Sequence, residues 1–396
     1  MSLVSFLYTK YIMAEELYIN TKYYFGKNAI VGNLSKEIND WKVKTLFLLY
    51  GSSSIKKNGI YDAILKELKK TKVKIVEHSG IKPNPLASDC DKAIALGKKH
   101  KVDMILAVGG GSVIDEAKVV STCIANPQIK KTWDFLEAEH APSDKHIPIM
   151  SIITLAATGS ESNATAVITN TETKDKWGVG TPVRPCVCFE DPTYTFTVSQ
   201  WQTGSGIFDI FSHLIEQYYD MEYDFEWTKQ YLIANMKVLL KYAKTVMKYP
   251  RDYRARANIL WTSTWALNGL GSFNIAGDWN CHGMEHALSA KYDVSHGAGL
   301  ALITPTYIEY MCSQYEAFRV MTLELAKELF HVNSVKKFLH HLIAFIKMLK
   351  LPTRYSDFKE IGKVTKEDIG ELCEIFDRNT EGKHDIGVKV FNRIPK

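Results

Sequence analysis

Three of the twelve histidines in this 396-residue chain, His282, His286 and His296, fall within fifteen consecutive positions. His282 and His286 are four apart in Asn280-Cys281-His282-Gly283-Met284-Glu285-His286, so a helix here would place both imidazoles on one face. Ser295-His296-Gly297-Ala298-Gly299 interrupts that period and predicts a turn that folds His296 back onto the face. Neutral imidazole is a good ligand for iron, zinc or nickel, so the trio suits a divalent metal; surface histidines or hydrogen-bonded core histidines would give the same string. A second pair stands at the same spacing, Asp209 and His213 in the strongly apolar run Gly206 to Glu216. A carboxylate is rarely buried in such surroundings without a partner that offsets its desolvation. A metal ion would be that partner, and the alternative is an Asp-His hydrogen bond that only orients the helix.

The preceding half reads as strands alternating with helices. Thr45-Leu46-Phe47-Leu48-Leu49-Tyr50 is an apolar run of strand length ending in Gly51-Ser52-Ser53-Ser54, with a helical period from Gly59 to Lys70. Val73 to Val76 is the next strand, Pro83-Asn84-Pro85 a loop, and Ala87 to Lys101 an amphipathic helix. Met104 to Val108 runs straight into Gly109-Gly110-Gly111-Ser112, and the helix after it carries Asp115 and Lys118. A further strand, Pro148 to Ile153, ends in Thr154-Leu155-Ala156-Ala157-Thr158-Gly159-Ser160-Glu161. Tyr23 to Val31 predicts a strand and turn at the sheet edge. This alternation implies a parallel sheet covered on both faces, with ligands at the carboxyl ends of its strands. Glycines between a buried strand and a helix let backbone N–H groups approach a pyrophosphate at the positive end of the helix dipole. The run lacks the G-x-G-x-x-G fingerprint, so a plain glycine-rich turn is the competing reading. After Asp191-Pro192 long helical periods take over, including Trp227 to Met247, Ala255 to Leu270 and Tyr315 to Leu329. The chain therefore divides into an extension (1–16), an α/β dinucleotide-binding domain (17–195) and a helical metal-binding domain (196–396).

Composition sets bounds on partners. Forty-nine basic against 44 acidic residues leave a formal charge of +5 spread along the chain, which is no nucleic-acid patch. Hydrophobic content of 46% with 23% charged residues is ordinary for a globular protein, and no apolar run approaches the length of a membrane span. Residues Met1 to Met13 lack the basic start and small-residue cleavage site of a signal peptide. The seven scattered cysteines have neither zinc-ribbon nor disulfide-framework spacing, which favours a reducing, cytoplasmic setting.

With these residues in place the chain resembles the iron-containing alcohol dehydrogenase family, in particular its NADPH-dependent butanol dehydrogenase-like branch, from about Leu17 onward. The carriers are Phe25-Gly26-Lys27, Pro83-Asn84-Pro85, Gly109-Gly110-Gly111-Ser112-x-x-Asp115, Thr158-Gly159-Ser160-Glu161, Asp191-Pro192, Asp209-x-x-x-His213, and His282-x-x-x-His286 with His296-Gly297. The resemblance implies an N-terminal Rossmann-like parallel-sheet domain followed by an all-helical metal-binding domain, as in dehydroquinate synthase. It implies Fe²⁺ or Zn²⁺ held by Asp209, His213, His282 and His296, with His286 near the nicotinamide. It places Gly110, Gly111, Ser112 and Asp115 at the pyrophosphate, with Asn84, Thr154, Leu155, Thr158, Lys176 and Tyr194 also on the cofactor wall; Lys176 reads equally as a solvated loop lysine. Two departures stand out. Ala157 occupies a position where relatives carry glycine, so a less permissive backbone is expected. Relatives also continue past the chain's Phe391-Asn392-Arg393-Ile394-Pro395-Lys396 into a last short helix.

The reaction implied is hydride transfer between NADP(H) and a small primary alcohol or aldehyde such as butanol or butanal, in a homodimer. NADP(H) rather than NAD(H) is expected because the turn Gly51, Ser52, Ser53, Ser54 offers hydroxyl and N–H donors, followed by Lys56 and Lys57, where NAD-using relatives place Asp at the position of Ser52. A plain serine-rich loop is the alternative. Rival readings are a polyol dehydrogenase or cyclase on the same architecture, a metal-dependent hydrolase, which would need no dinucleotide, and a non-catalytic scaffold.

Overall fold

The computed structural model describes residues 17–138, 141–380 and 382–396; the expected extension 1–16 lies outside them. Strands β1 (Lys22–Phe25), β2 (Thr45–Tyr50), β3 (Lys74–Ser79), β4 (Met104–Gly109), β5 (Ile149–Ile153), β6 (Thr165–Asn170), β7 (Asp175–Gly180) and β8 (Val187–Glu190) all precede residue 195. Interleaved with them are α1 (Asn33–Asp40), α2 (Ser54–Lys57), α3 (Ile60–Leu68), α4 (Ala87–His100), α5 (Gly111–Ala125) and α6 (Thr132–Glu137). The remainder is helical: α7 (Gln200–Tyr218), α8 (Glu226–Lys248), α9 (Tyr253–Ala266), α10 (Asn280–Tyr292), α11 (His296–Gln314), α12 (Glu316–Phe330), α13 (Val335–Met348), α14 (Lys366–Thr380) and α15 (His384–Phe391).

Six strands form one parallel sheet in the order β1-β8-β5-β4-β2-β3. The uninterrupted apolar character of β2 follows from burial on both faces. Leu46, Leu48 and Tyr50 pack into a cluster with Leu34 of α1 and Ile64 of α3, whereas Phe47 and Leu49 pack with Cys90 of α4 and Ala117 and Val120 of α5. Strand β4 divides the same way, with Leu106 and Val108 on one side and Ile105 and Ala107 on the other. Tyr50 pairs with Val108 and Val108 with Ile152, so the turns after β2, β4 and β5 leave the sheet at one level. The chain reverses its direction of strand addition between β2 and β4, the crevice where open α/β sheets bind ligands.

The antiparallel pair β6-β7 stands outside this sheet and was not anticipated from the sequence. It is tied to the first domain where Thr169 N–H donates to Pro85 O (2.8 Å), and it packs on α10 and α14 of the helical half. Indole Nε1 of Trp177 donates to Asn379 Oδ1 (2.6 Å) and Arg378 pairs with Asp175 (2.9 Å). The chain's own terminal segment is helical: α15 packs on α14 and α11, and Tyr355 N–H bonds Pro395 O at 2.9 Å. Among the described residues, no helix is long and apolar enough to cross a membrane, and the seven cysteines are free thiols.

Glycines set how closely α7 and α11 approach their neighbours. A Cβ at Gly206 of α7 would sit 2.2 Å from Ala156 O, and one at Gly297 of α11 would sit 2.0 Å from Ser205 O. Both obstacles are backbone, so neither can swing aside. Gly297→Ala is therefore expected to destabilise the fold by about 1–3 kcal/mol through overpacking. Gly370→Ala, on the exposed face of α14 with nothing within 4 Å of its added Cβ, should stabilise by about 0.5–1 kcal/mol. Paired urea denaturation curves measure both, and equal midpoints for Gly297→Ala and the unmodified chain would contradict the packing described.

Candidate metal centre and cofactor wall

Helix α7 carries Asp209 and His213 one turn apart and turns both toward α10 and α11. The turn expected over Ser295 to Gly299 lies earlier, at 293–295: Asp293 closes α10 in the left-handed conformation (φ 51°), Ser295 precedes α11, and His296 to Gly299 are the first turn of that helix. Ser205, one turn before Asp209, shares a hydrogen bond with Ser295 (2.8 Å), which pins the start of α11 to α7. Together with the glycine contact at 297 this brings His296 onto the Asp209 face.

The result is one carboxylate oxygen surrounded by three imidazole nitrogens. Nε2 atoms of His296, His213 and His282 lie 3.5, 3.7 and 3.8 Å from Asp209 Oδ1. Such separations are too long for hydrogen bonds. Donor atoms of Asp209, His282 and His296 all lie within 4.8 Å of one another, the spacing of ligands around one ion, and His213 Nε2 stands beside them at 3.7 Å from Asp209 Oδ1. Asp209 Oδ1 and His282 Nε2 are buried and have no hydrogen-bond partner. An orphaned carboxylate oxygen and an orphaned imidazole nitrogen facing each other are costly unless something sits between them, so Asp209, His282 and His296 fit a divalent cation, with His213 beside them on the Asp209 side. Burial opposes the charge of Asp209, but His213 and His296 beside it outweigh that and hold its carboxyl well below the usual range. Burial lowers the His213 imidazole to about 3. For His282 burial acts in the same direction but is overcome by Glu216 and Asp209, which raise it to about 10.

Two further carboxylates, absent from the sequence expectation, hold the ligand rings from behind. Glu216 accepts from His282 Nδ1 (2.6 Å) and from the His282 backbone N–H (3.1 Å). Glu285 accepts from His296 Nδ1 and from the Ser289 hydroxyl. A carboxylate on Nδ1 fixes the tautomer that leaves Nε2 free to ligate. Both were within reach of the spacing rule: Glu216 is three residues after His213, and Glu285 three after His282, each on the ligand face. His286 lies beside the cluster, its ring 5.7 Å from that of His296 and 6.5 Å from that of His282. Burial and the Lys176 ammonium hold its imidazole well below the ordinary value, so it is neutral.

The turns after β2, β4 and β5, which carry Gly51, Ser52 and Ser54, Gly110, Gly111 and Ser112, and Thr154, Leu155 and Thr158, leave the sheet at one level, and the last two pack on each other. Gly111 abuts Thr158 so closely that a Cβ would lie 2.3 Å from its hydroxyl, and Gly110 lies against Leu155 in the same way at 3.3 Å. Thr154 N–H bonds Gly109 O at 2.9 Å. The left-handed residue of the 154–159 turn is Gly159 (φ 62°) and not Ala157, so the alanine there imposes none of the backbone cost expected of it. Tyr194 sits past the end of β8 against the core cluster that holds Phe189 and Tyr50.

Three other expected cofactor residues are engaged with protein. Asp115 accepts from Ser160 Oγ (2.5 Å) and from Val167 N–H (3.0 Å), which joins α5 to the 154–160 turn and to β6. Beside it Lys118, with no exposed surface, donates to Ser160, Asn163 and Thr165 O, and burial lowers its ammonium to about 8. Asn84, left-handed at φ 54°, donates its amide to Asp293 Oδ1 at 2.8 Å and so joins the first domain to the turn before His296. Lys176 donates to Glu285 at 3.1 Å, behind His296.

Comparison with known proteins shows the family. Residues 20–192 match the family described as iron-containing alcohol dehydrogenase, and residues 203–376 match the C-terminal domain of the Fe-containing alcohol dehydrogenase family. The chain belongs to the iron-containing alcohol dehydrogenase family. It is 42% identical over 74% of its length, and 74% of the relative's, to NADH-dependent butanol dehydrogenase A of Clostridium acetobutylicum. It is 32% identical over 96% of its length, and 97% of the relative's, to NADPH-dependent aldehyde reductase YqhD of Escherichia coli. The crystal structure of NADH-dependent butanol dehydrogenase A from Thermotoga maritima superposes with a TM-score of 0.89 at 31% identity, covering 97% of this chain and 99% of that one. Membership of this family removes the basis for the hydrolase alternative.

His282→Ala is expected to abolish metal binding while leaving the nucleotide dissociation constant within about twofold, because the two walls are built from different domains. His286→Ala should keep the metal and lose rate. Metal content by elemental analysis beside nucleotide titration checks both; full metal occupancy in His282→Ala would remove it from the ligand set, and an empty His286→Ala would add that residue to it.

Proposed function

We propose that the protein reduces small aldehydes and oxidises the corresponding primary alcohols, of the size of butanal and butanol, with NADP(H) and a divalent metal, Fe²⁺ or Zn²⁺. The observation that carries this reading is the unpartnered Asp209 Oδ1 with three imidazole Nε2 atoms 3.5–3.8 Å away. A divalent ion held by these four residues would supply Lewis acidity to the substrate oxygen, and the nicotinamide would carry the hydride. The residues themselves do the rest. Asp209 contributes the one negative charge among the ligands. Glu216 and Glu285 hold two of the imidazoles in the ligating tautomer. Neutral His286, next to the cluster, is placed to take a proton from an alcohol or return it to the nascent product. Gly110, Gly111 and Ser112 present backbone N–H groups at the start of α5 to the pyrophosphate, and the Thr154–Thr158 turn closes that side.

The preference for NADP(H) rests on the turn after β2. Ser52, Ser53 and Ser54 are exposed, no carboxylate stands between Gly51 and Ser54, and Lys56 follows one turn on, its ammonium 5.3 Å from the Tyr50 ring. Hydroxyl donors and a nearby cation suit a 2′-phosphate, whereas a carboxylate there would repel it. Relatives named for NADH and for NADPH both resemble this chain, so the proposed preference is supported by the turn and not by the overall likeness.

A homodimer is proposed from the sheet edge. Among the described residues strand β1 has no partner on its outer side, and the surface beside it exposes Phe25, Trp261 and Tyr253 at 42, 37 and 42%, an aromatic rim of the kind found in subunit interfaces. The free thiols fit a cytoplasmic location.

Aldehyde-dependent oxidation of NADPH, assayed with and without added Fe²⁺ or Zn²⁺, tests the activity. Ser52→Asp is expected to shift the ratio of kcat/KM for NADPH over NADH toward NADH by roughly ten- to a hundredfold, a like-charge penalty on the order of 1–3 kcal/mol. A wild-type chain that favours NADH would refute the cofactor assignment.

A further inference from the structure

We infer that Lys118 is a positioning residue for the nucleotide wall: from the middle of α5 it holds the turn that carries Thr158 against the start of the same helix. The inference rests on the nucleotide reading above and goes beyond it, since Lys118 itself stands outside the cofactor wall. A lysine is almost never fully buried unless its charge is met, and Lys118 has no exposed surface, with Ala117, Val119 and Val120 beside it in the apolar core. Its ammonium has three protons to donate. Each goes to protein: Ser160 Oγ at 2.7 Å, Asn163 Oδ1 at 2.8 Å and Thr165 O at 2.7 Å. No donor is left over for a ligand, so Lys118 acts through what it holds.

Two links lead from the ammonium to the turn. Ser160, which accepts from Lys118, donates its backbone N–H to the Thr158 hydroxyl at 3.1 Å. Asn163, which also accepts from Lys118, donates its amide to Gly159 O at 3.0 Å. Thr158 in turn packs on Gly111, the first residue of α5. Gly111 and Lys118 lie about two turns apart on that helix. The helix whose N-terminus faces the pyrophosphate therefore also grips, farther along, the turn that stands beside that N-terminus.

An apolar side chain of the same length would break this circuit. Ser160 Oγ, Asn163 Oδ1 and Thr165 O would lose the one donor that joins them. Asp115, 8% exposed, would lose its cation as well, because Ser160 Oγ accepts from Lys118 and donates to Asp115 at 2.5 Å, linking ammonium and carboxylate through one hydroxyl. Breaking a buried pair by removing one partner leaves the other uncompensated. Asn163 makes its link to the turn without touching Asp115, so the two routes separate experimentally.

The test is the NADPH dissociation constant of the full-length chain, read from nicotinamide fluorescence, beside its affinity for Zn²⁺. Lys118→Met keeps the length of the side chain and removes its donors. It is expected to raise the NADPH dissociation constant about 10-fold, the worth of one hydrogen bond from a charged group, and to leave Zn²⁺ affinity unchanged. In the metal-loaded enzyme the KM for NADPH should rise similarly while kcat at saturating NADPH stays within about threefold, as expected when binding alone is lost. Asn163→Ala should weaken NADPH binding in the same direction, and the double variant should lose no more than Lys118→Met, because the two residues act in one circuit. Leu68→Ala, at the end of α3 under the opposite face of the sheet, loosens the same domain without touching the turn and should leave NADPH binding unchanged. A loss there equal to that of Lys118→Met, or an equal loss of Zn²⁺ affinity in Lys118→Met, would reduce Lys118 to general support and overturn the inference. So would a Lys118→Met chain that binds NADPH as tightly as wild type, or a fully additive double variant. If Lys118→Met does not fold, Asn163→Ala alone decides, and wild-type NADPH affinity in it overturns the inference. A wild-type chain that binds neither NADPH nor NADH would instead refute the nucleotide reading itself.

Discussion

A carboxylate oxygen buried inside a helix bundle is the constraint around which the second domain is arranged. Asp209 is 2% exposed, and its Oδ1 faces three imidazole nitrogens without a hydrogen bond to any atom. In an apolar interior such an oxygen would cost several kcal/mol if left alone. The surrounding features read as the means of keeping it among its partners. Glycines at 206 and 297 permit the approach of α7 and α11, the Ser205–Ser295 bond fixes their register, and Glu216 and Glu285 orient the rings. Helix α7 accepts glycines at 204 and 206 despite their roughly 1 kcal/mol penalty in a helix, since a side chain at either would run into backbone.

The first domain contributes its own contact edge rather than a separate function. A level set of strand ends aligns the three polar turns, and the glycines after β4 let the Thr158 turn pack down on the start of α5. Asn84, Asp115 and Lys176 then act as fasteners, the first to the turn before His296, the second between α5 and β6, the third to Glu285. The first domain and the helical domain are consequently tied to each other by the Asn84–Asp293 and Lys176–Glu285 bonds, the second of them buried. Hydride transfer requires that kind of fixed geometry, because reacting atoms must be held within about 3–3.5 Å.

Much of this was legible in the sequence because the relevant signals are local. Strand β2 spans the apolar run Thr45–Tyr50 because both its faces are covered, and the helices carrying Asp209, His213, His282 and His286 follow from four-residue spacing. What was not legible depends on partners far along the chain. Hairpin β6-β7 is polar and glycine-containing in Asp175-Lys176-Trp177-Gly178, and it is stable because Arg378, Asn379 and Glu285 meet it from one hundred to two hundred residues away. Asp115 sits at the first turn after the glycines, and the two bonds it makes there, to Ser160 and to the Val167 N–H, depend on residues 45 and 52 positions away. Ala157 looked like an intrusion only because left-handed backbone was expected there, and the turn places that conformation at Gly159. Glu216 and Glu285 lay on the right helical faces but carry no local mark that separates an orienting carboxylate from a surface one.

The most direct measurement of the central claim is anomalous scattering from crystals of the full chain, collected on both sides of the zinc or iron absorption edge. One strong peak is predicted, about 2.0–2.3 Å from Asp209 Oδ1 and from Nε2 of His213, His282 and His296. A peak among Glu285, His286 and His296, the neighbouring set of donor atoms, or no peak in crystals grown with excess metal, would contradict it.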